Sequence, residues 1–92
     1  MLTPEFTTQF KRDYRQSIKR NLDMSLIDSL VMDLSEEIPL LEKHQDHSLK
    51  GKYKGCRECH IQPDWLLVYR IVDKENIVFV RNGTHSDLFS EN

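Results

Sequence analysis

Residues 65–72, with the sequence WLLVYRIV, are apolar at almost every position. A short, continuously apolar stretch rich in aromatic and β-branched residues is typical of a central strand that is buried on both faces. Pro63 and Asp64 predict a turn before this segment, and the polar residues 73–76 predict another after it. We therefore expect residues 65–72 to form the middle strand of a sheet.

Two further strands are predicted beside the central one, over residues 55–61 and residues 77–81. Side chains of an extended strand alternate between its two faces, so every second residue shares a face. The sets expected to share a face are Cys56, Glu58 and His60 in one strand, and Ile77, Phe79 and Arg81 in the other. Because both strands would pair through the central one, His60 and Arg81 are predicted to lie near strand ends of a common sheet.

Two helices are predicted before the sheet. The first begins near Thr7 or Thr8, either of which can cap it. The second begins at Asp23 or Ser25 and must end before Pro39. Apolar residues at helical spacing support both helices, which together are interpreted as a hairpin. They are Phe6, Phe10, Tyr14, Ile18 and Leu22 in the first helix, and Ile27, Leu30, Val31, Leu34 and Ile38 in the second.

The order of these elements predicts an α+β fold. Residues 2–6 are a candidate short strand, and Pro4 restricts it to an edge or to the strand's first residue because proline has no amide donor. Residues 85–89 are interpreted as a final turn. The predicted order is (β)ααβββ, with two N-terminal helices packed on an antiparallel sheet, and residues 1–92 are expected to form a single domain.

The composition favours a compact globular chain over a disordered or fibrous one, since 38% of the residues are hydrophobic and 30% are charged. The N-terminal residues lack the apolar segment of a signal peptide. No later segment approaches the roughly 20 apolar residues of a membrane span. We therefore expect a cytoplasmic protein that does not engage a membrane.

Charge is unevenly distributed along the chain, although the net charge is only -2 and gives no overall nucleic-acid signature. Residues 1–22 contain five basic and two acidic residues, whereas residues 23–46 contain seven acidic residues and one basic residue. Further on, a basic run with no acidic residue among them is formed by Lys50, Lys52, Lys54 and Arg57. This run is interpreted either as a phosphate-binding strip or as a solvated loop.

Three of the four histidines, His47, His60 and His85, lie in the second half of the chain, together with Asp64 and Arg81. Histidine can act as acid or base near neutral pH. RNA cleavage needs a base for the 2′-hydroxyl proton, an acid for the departing 5′-oxygen and a cation beside the phosphate. Since the RNA hydroxyl is the nucleophile, this chemistry requires neither a metal ion nor another cofactor. Each histidine taken alone is better explained as an ordinary surface or hydrogen-bonded residue, and only the group as a whole favours a catalytic role.

Aromatic side chains near these groups are candidates for stacking on RNA bases. They are Phe89, Tyr53 and Trp65. For Tyr53 and Trp65 a place in the core is at least as well supported, because large aromatic residues anchor small cores.

The sequence CRECH at residues 56–60 supports an alternative chemistry. Two thiols and an adjacent histidine are used for covalent haem attachment, and Cys56, Cys59 and His60 also suit a small metal-binding protein. On a strand, however, Cys56 and Cys59 point to opposite faces and cannot hold one ligand together. We favour thiols that pack as small apolar residues.

Three motifs carry a resemblance to a known family: DHSLKG at residues 46–51, CHIQPDWLLVYRI at residues 59–71 and RNGTHSDLF at residues 81–89. Together they resemble the YafQ branch of the RelE superfamily of bacterial type II toxins. The resemblance implies a small twisted antiparallel sheet flanked by two N-terminal helices. It also implies a metal-independent endonuclease that cleaves mRNA on the ribosome and forms an inactive hetero-oligomer with a cognate antitoxin.

The resemblance further implies which residues are functional. The family's functional positions correspond to His47, His60, Asp64, Arg81, His85 and Phe89. We expect Arg81 to bind the scissile phosphate and His85 to protonate the leaving oxygen. His60 or His47, with Asp64, is expected to provide or support the base. The alternative is a non-enzymatic binding module, such as an inactive relative that only engages its partner.

Overall fold

The elements follow the predicted order, with a short strand and a short helix in addition. The structure, a computed structural model, describes residues 1–90, so the last two positions of the predicted single domain lie outside the described residues. The elements are β1 (Thr3–Phe6), α1 (Thr8–Lys19), α2 (Met24–Ser35), β2 (His47–Ser48), β3 (Arg57–Gln62), β4 (Trp65–Ile71), β5 (Asn76–Gly83) and α3 (His85–Phe89). Single 3₁₀ turns occupy Glu42–His44 and Gly51–Tyr53.

Strand β4 is the central strand, as predicted. Within residues 1–90 the sheet has five strands in the order β1-β5-β4-β3-β2. The first five residues of β4 are buried, whereas Arg70, Ile71 and the following Val72 are exposed. Burial on both faces is therefore confirmed for the first part of the segment only.

The sheet is mixed. Strands β3, β4 and β5 are antiparallel neighbours, as predicted. Strand β1 lies at the edge and runs parallel to β5, with Pro4 opposite Ile77. The edge position predicted for this strand is confirmed, because a proline at the edge leaves no ladder hydrogen bond unmade.

Both helices pack on one face of the sheet. Helix α1 begins after Thr7, whose hydroxyl accepts a 2.9 Å hydrogen bond from the Phe10 amide, and α2 begins after Asp23. The main core lies between these helices and the sheet. It contains the buried side chains Leu2, Phe10, Ile27, Leu30, Leu34, Cys59, Ile61, Trp65, Leu67, Tyr69, Ile77 and Phe79. No helix within residues 1–90 has the length and hydropathy that a membrane span requires.

A smaller core covers the opposite face of the sheet. It is formed by Tyr53, Cys56, Leu66, Val68 and Leu88. These residues come from β4, from the loop before β3 and from α3. This loop and α3 therefore form a second layer, which brings the polar second half of the sequence over one face of the sheet.

A β-bulge in β5 changes the predicted orientation of Arg81. The register shifts between Val68, which pairs with Arg81, and Tyr69, which pairs with Phe79, so Val80 is an extra residue. Phe79 lies in the main core, but Arg81 is opposite Val68 of the smaller core. The prediction that Phe79 and Arg81 share a face is wrong because simple alternation does not allow for this extra residue.

Thr7 connects the bulge to the start of α1. Its hydroxyl donates a 2.7 Å hydrogen bond to the carbonyl of Val80, and its amide donates a 3.1 Å hydrogen bond to the carbonyl of Phe79. The same hydroxyl oxygen caps α1 at Phe10. One side chain thus satisfies a carbonyl at the bulge and an amide at the helix N-terminus.

Residues 85–89 form helix α3 instead of the predicted turn. Thr84 and Asp87 form a capping box in which each side chain accepts from the other residue's amide. Arg20 of α1 also binds Asp87 through two nitrogen–oxygen contacts, of 2.6 and 3.1 Å. A Cβ atom at Gly83 would lie 2.8 Å from Asp87 Oδ2, so glycine leaves the space that this carboxylate occupies.

Thr7→Ala should lower the free energy of unfolding by roughly 1–3 kcal/mol, since it removes a helix cap and the hydrogen bond to the bulge. Urea denaturation monitored by circular dichroism measures the change. Thr8→Ala is the matched control, because Thr8 is the exposed first residue of α1 and should change stability by less than about 0.5 kcal/mol. Equal losses in the two variants would contradict this role of Thr7.

Candidate active site

An acid–base cluster lies where β2 pairs with β3. His47 of β2 is directly opposite Glu58 of β3, and its Nε2 atom lies 2.8 Å from Glu58 Oε2. Glu58 is only 4% exposed, which is unusual for a carboxylate unless it has a charged or hydrogen-bonding partner. His60 follows two residues later on β3, and one ligand atom each of His47, Glu58 and His60 lie within 4.8 Å of one another.

A second acid–base group joins the β3–β4 turn to α3. Asp64 Oδ1 accepts a 2.9 Å hydrogen bond from the His85 amide and lies 2.6 Å from His85 Nδ1. The backbone hydrogen bond, followed by the side-chain one, holds the pKa of Asp64 below its usual value. Because an ionised carboxylate can only accept hydrogen bonds, Nδ1 must carry a proton. The outer nitrogen, Nε2, then remains for a substrate.

His60 connects the two groups. The rings of His60 and His85 are in an edge-to-face arrangement, with centroids 5.7 Å apart. His60 is half-buried, and its carbonyl oxygen lies 2.7 Å from Nδ1 of His44. The structure thus brings His47, His60, Asp64 and His85 into one continuous set, as the sequence predicted, with Glu58 added to it.

Arg81 lies on β5, two strands away from the acid–base cluster on β2 and β3, with β4 between them. Its guanidinium donates to both carboxylate oxygens of Asp13, from Nε at 3.0 Å and Nη2 at 2.9 Å, and from Nη1 to the Tyr53 hydroxyl at 3.3 Å. These hydrogen bonds raise the pKa of Arg81, with that to Asp13 as the largest cause. A guanidinium has five N–H donors, so the three used here leave two for a phosphate. Asp13 and Tyr53 fix the orientation of this cation.

The pairing of strands β3, β4 and β5 sets the distance between Glu58 and Arg81. Glu58 pairs with Val68, and Val68 pairs with Arg81, in one row across three strands. Directly opposed residues are about 5 Å apart, so Glu58 and Arg81 are separated by about 10 Å at their backbones. Both side chains lie on the face of the smaller core, because the bulge turns Arg81 towards it.

Of the three aromatic residues predicted as candidates for base stacking, Phe89 is the exposed one. It is 42% exposed at the end of α3. Its ring packs edge-to-face against that of Tyr53, with the ring centroids 5.6 Å apart. Tyr53 and Trp65 are buried, and the Tyr53 hydroxyl donates to the Leu88 carbonyl at 3.3 Å. The placement of Tyr53 and Trp65 in the core, which the sequence allowed, is confirmed.

The three predicted phosphate-binding lysines are all exposed on the loop before β3. They are Lys50, Lys52 and Lys54. Lys52 places its ammonium 5.4 Å from the centroid of the Tyr53 ring, and the Tyr53 hydroxyl contacts Arg81. Lys52 is thereby connected to the arginine through one aromatic residue, which adds positive charge on this side of the site.

The two cysteines do not form a site together. Cys56 belongs to the smaller core and Cys59 to the main core on the opposite face of the sheet. Desolvation is the main cause that raises the pKa of both thiols, that of Cys59 to about 12. A joint metal or haem site of Cys56, Cys59 and His60 is therefore incompatible with the sheet.

Two residues of the site were missed from the sequence. Glu58 was placed on the face of His60, but nothing in the sequence distinguished it from a surface glutamate, since its partner His47 is on a two-residue strand. Asp13 is 68 positions from Arg81 along the chain, and only the packing of α1 against β5 brings them together. The alternation of Glu58 with His60 was the available signal for the first, and no signal pointed to the second.

Known proteins resemble this chain over nearly all of its length. Residues 2–90 match the family described as "Bacterial toxin of type II toxin-antitoxin system, YafQ". The chain belongs to the YafQ family. One relative, the mRNA interferase toxin YafQ of Escherichia coli K12, is 37% identical over 86 residues, which cover 92% of both chains.

Solved structures of YafQ-type toxins have the same fold. The toxin in the Escherichia coli DinJ–YafQ toxin–antitoxin complex superposes with a TM-score of 0.87 and 35% identity, covering 96% of this chain and 97% of that one. A metal-bound toxin from Helicobacter pylori has a TM-score of 0.89 and 44% identity, covering 97% of this chain and 100% of the other.

In this YafQ-type chain, Asp13→Ala should lower the free energy of unfolding by roughly 1–3 kcal/mol, because it leaves the Arg81 guanidinium partly buried without its carboxylate. Urea denaturation followed by circular dichroism provides the measurement. Asp33→Ala on α2 is the control, since Asp33 takes no part in these hydrogen bonds. A stability loss no larger than that of the control would show that Asp13 does not hold Arg81.

Proposed function

We propose that this chain is the toxin of a type II toxin–antitoxin system and acts as an mRNA interferase. The observation that supports this proposal best is the hydrogen-bonded His85–Asp64 pair beside His47, Glu58 and His60. Arg81 is held in a fixed orientation by Asp13 on β5, across β4 from this group. The curated Escherichia coli relative is named an mRNA interferase toxin, which supports the same activity here. We place the activity in the cytoplasm, where the ribosome holds the mRNA.

The proposed cleavage uses the RNA's own 2′-hydroxyl as the nucleophile. A base from the His47–Glu58–His60 cluster removes the hydroxyl proton, and the 2′-oxygen attacks phosphorus. The bond from phosphorus to the 5′-oxygen then breaks, and His85 protonates that oxygen. The products carry a 2′,3′-cyclic phosphate and a 5′-hydroxyl. Each positioned proton-transfer group typically contributes roughly 10²–10⁴ in rate.

The contacts refine the role proposed for Asp64. Its oxygen binds His85, not His47 or His60, so it orients and stabilises the acid instead of supporting the base. A carboxylate on Nδ1 fixes the tautomer and stabilises the charged imidazolium. Proton donation from the opposite ring nitrogen of His85 is the chemistry that this arrangement favours.

Arg81 and the exposed lysines are proposed to bind the RNA backbone. The two free N–H groups of Arg81 stabilise charge that develops on the phosphate during attack. Lys50, Lys52 and Lys54 bind flanking phosphates, and Phe89 stacks on a base next to the cleaved bond. An mRNA held on the ribosome presents such a strand, and the toxin supplies the acid and base.

A cognate antitoxin is proposed to hold the toxin inactive in a hetero-oligomer. The structurally similar Escherichia coli YafQ has been solved in complex with its antitoxin DinJ. Co-expression with the neighbouring gene is therefore part of the functional test, because restored growth identifies the neutralising partner.

His85→Gln and Arg81→Lys should each abolish growth arrest on induction and reduce mRNA cleavage by roughly 10²-fold or more. Arg81→Lys keeps a positive charge beside Asp13 and so protects the fold, but loses the two-pronged geometry. Mapping of mRNA 5′ ends after induction measures cleavage, with and without the antitoxin gene. Arg70→Lys, on an exposed position of β4, is the matched control and should remain toxic.

Full growth arrest by a folded, expressed His85→Gln protein would contradict the proposal that His85 protonates the leaving 5′-oxygen. Thermal denaturation of each variant establishes that the protein is folded. If the unaltered chain produces neither growth arrest nor new mRNA ends, the non-enzymatic alternative is the correct one.

Phe89→Leu should weaken cleavage about tenfold, whereas Phe89→Tyr should retain it, because base stacking is worth roughly 1–3 kcal/mol and needs an aromatic ring. Both substitutions preserve a large side chain at a half-exposed position. Single-turnover cleavage of ribosome-bound mRNA is the measurement. Equal rates for the two variants would rule out stacking as the contribution of Phe89.

A further inference from the structure

We propose that a cleft at the outer edge of β3 binds the base of the nucleotide on the 5′ side of the cleaved bond. The cleft has a volume of about 610 Å³ and lies between the 3₁₀ turn at Glu42–His44, the start of α2 and the end of β3. The choice of an RNA base as the ligand rests on the proposed function, whereas the cleft itself is a feature of the fold.

The cleft exists because β2 is too short to cover the whole edge of β3. Strand β2 pairs only with Arg57 and Glu58, so the 3₁₀ turn packs beside the next part of this edge. His44 of the turn places its Nδ1 atom 2.7 Å from the His60 carbonyl. Since a carbonyl oxygen can only accept a hydrogen bond, Nδ1 carries the proton, and the outer nitrogen, Nε2, remains for a ligand.

A β-bulge in β3 directs Gln62 towards the cleft. His60 is opposite Leu66 of the smaller core, whereas Gln62 is opposite a residue of the main core, Trp65. Ile61 between them is an extra residue, and directly opposed side chains share a face. Gln62 therefore lies on the helix-covered face, although simple alternation would place it with His60. The strand thus presents a candidate base and a residue of the cleft on opposite faces.

The side chains that line the cleft suit a nucleobase. Enzymes that bind an unstacked base place apolar side chains against its faces and hydrogen-bonding groups at its edge. Leu26, Ile61 and Pro63 supply apolar surface here. Gln45 and Gln62 supply amide groups, which both donate and accept hydrogen bonds. The volume of about 610 Å³ accommodates one base with its ribose, since small-molecule sites typically measure about 300–1,000 Å³.

The charge of the cleft favours RNA over a cationic ligand. Its lining includes Lys43, His44 and His60, and within the described part of the chain none of the lining residues is acidic. The surrounding sequence is different, because residues 23–46 contain seven acidic residues and Lys43 as the one basic residue. The single cation of this acidic segment therefore lies at the cleft, where it suits the phosphate that precedes the bound base.

The position of the cleft relative to the proton-transfer groups selects the 5′ side of the cut. His60 lines the cleft and also belongs to the cluster proposed to take the proton from the 2′-hydroxyl. That hydroxyl belongs to the nucleotide on the 5′ side of the cleaved bond. His85, proposed to protonate the 5′-oxygen on the other side, lies on α3 with Phe89. The base on the 5′ side is therefore nearest to the cleft, and Phe89 is left for the base on the 3′ side.

The binding test uses the full-length chain and the four nucleoside 3′-monophosphates, which carry the base and the phosphate of the 5′ side. At least one of them should shift the backbone amide signals of Gln45 and Ile61 saturably in ¹⁵N NMR spectra. Inorganic phosphate alone should leave these signals in place. Unshifted signals with all four nucleotides, or equal shifts with phosphate, would overturn the cleft as a base-binding site.

Gln62→Ala should weaken nucleotide binding about fivefold, the loss expected for one hydrogen bond. Gln62 is exposed at the end of β3, so the substitution preserves the fold. Gln16→Ala, at an exposed position of α1, is the matched control and should bind as tightly as the unaltered chain. Equal losses in the two variants would show that Gln62 does not contact the base.

Base selection is tested separately by mapping mRNA 5′ ends after induction. Gln62→Ala should reduce the base preference at the nucleotide immediately before the cut by about fivefold and leave the preference after the cut unchanged. A change only after the cut, or at neither position, overturns the assignment to the 5′ side. If the unaltered chain produces no new ends, the proposed function fails, while the nucleotide titration still decides whether the cleft binds a base.

Discussion

The hydrogen bonds of the Thr7 hydroxyl determine which face of the sheet carries Arg81. This hydroxyl donates to the Val80 carbonyl at the bulge and accepts from the first turn of α1. A bulge would otherwise leave a carbonyl without its ladder partner. Because the bulge is held in this way, Arg81 lies on the face of Glu58 and His60, while Asn82 points to α1, where Ser17 Oγ donates to Asn82 Oδ1 at 3.1 Å. An unbulged strand would place the cation on the helix-covered face.

Local patterns predicted most of the fold. The apolar segment at residues 65–72 located the central strand, and the proline at position 4 located the edge strand. These signals are local, since burial periodicity and the missing amide donor act within a few residues. The bulge could not be read in this way, because an extra residue in β5 has meaning only relative to the facing strand. The two-residue strand β2 is too short to produce a periodic pattern.

The candidate site was predicted by residue type and resemblance, but its pairings were not. Asp64 was expected to assist the base, yet it binds His85 because the β3–β4 turn meets the N-terminus of α3. Glu58 and Asp13 gained their partners through tertiary packing. The acidic residues of the site have a common arrangement. Each contacts a histidine or an arginine, so the acidic residues hold the side chains of His47, His85 and Arg81 in fixed orientations.

Helix α1 is linked by side-chain contacts both to Arg81 and to α3, the helix that carries His85 and Phe89. Asp13 in its middle binds the guanidinium of Arg81, and Arg20 at its end binds Asp87, which fixes the helix that carries His85 and Phe89. A displacement of α1 would therefore disturb Arg81 and α3 together. By thermodynamic linkage, any ligand that stabilises the observed arrangement of Arg81 and α3 also stabilises the observed position of α1.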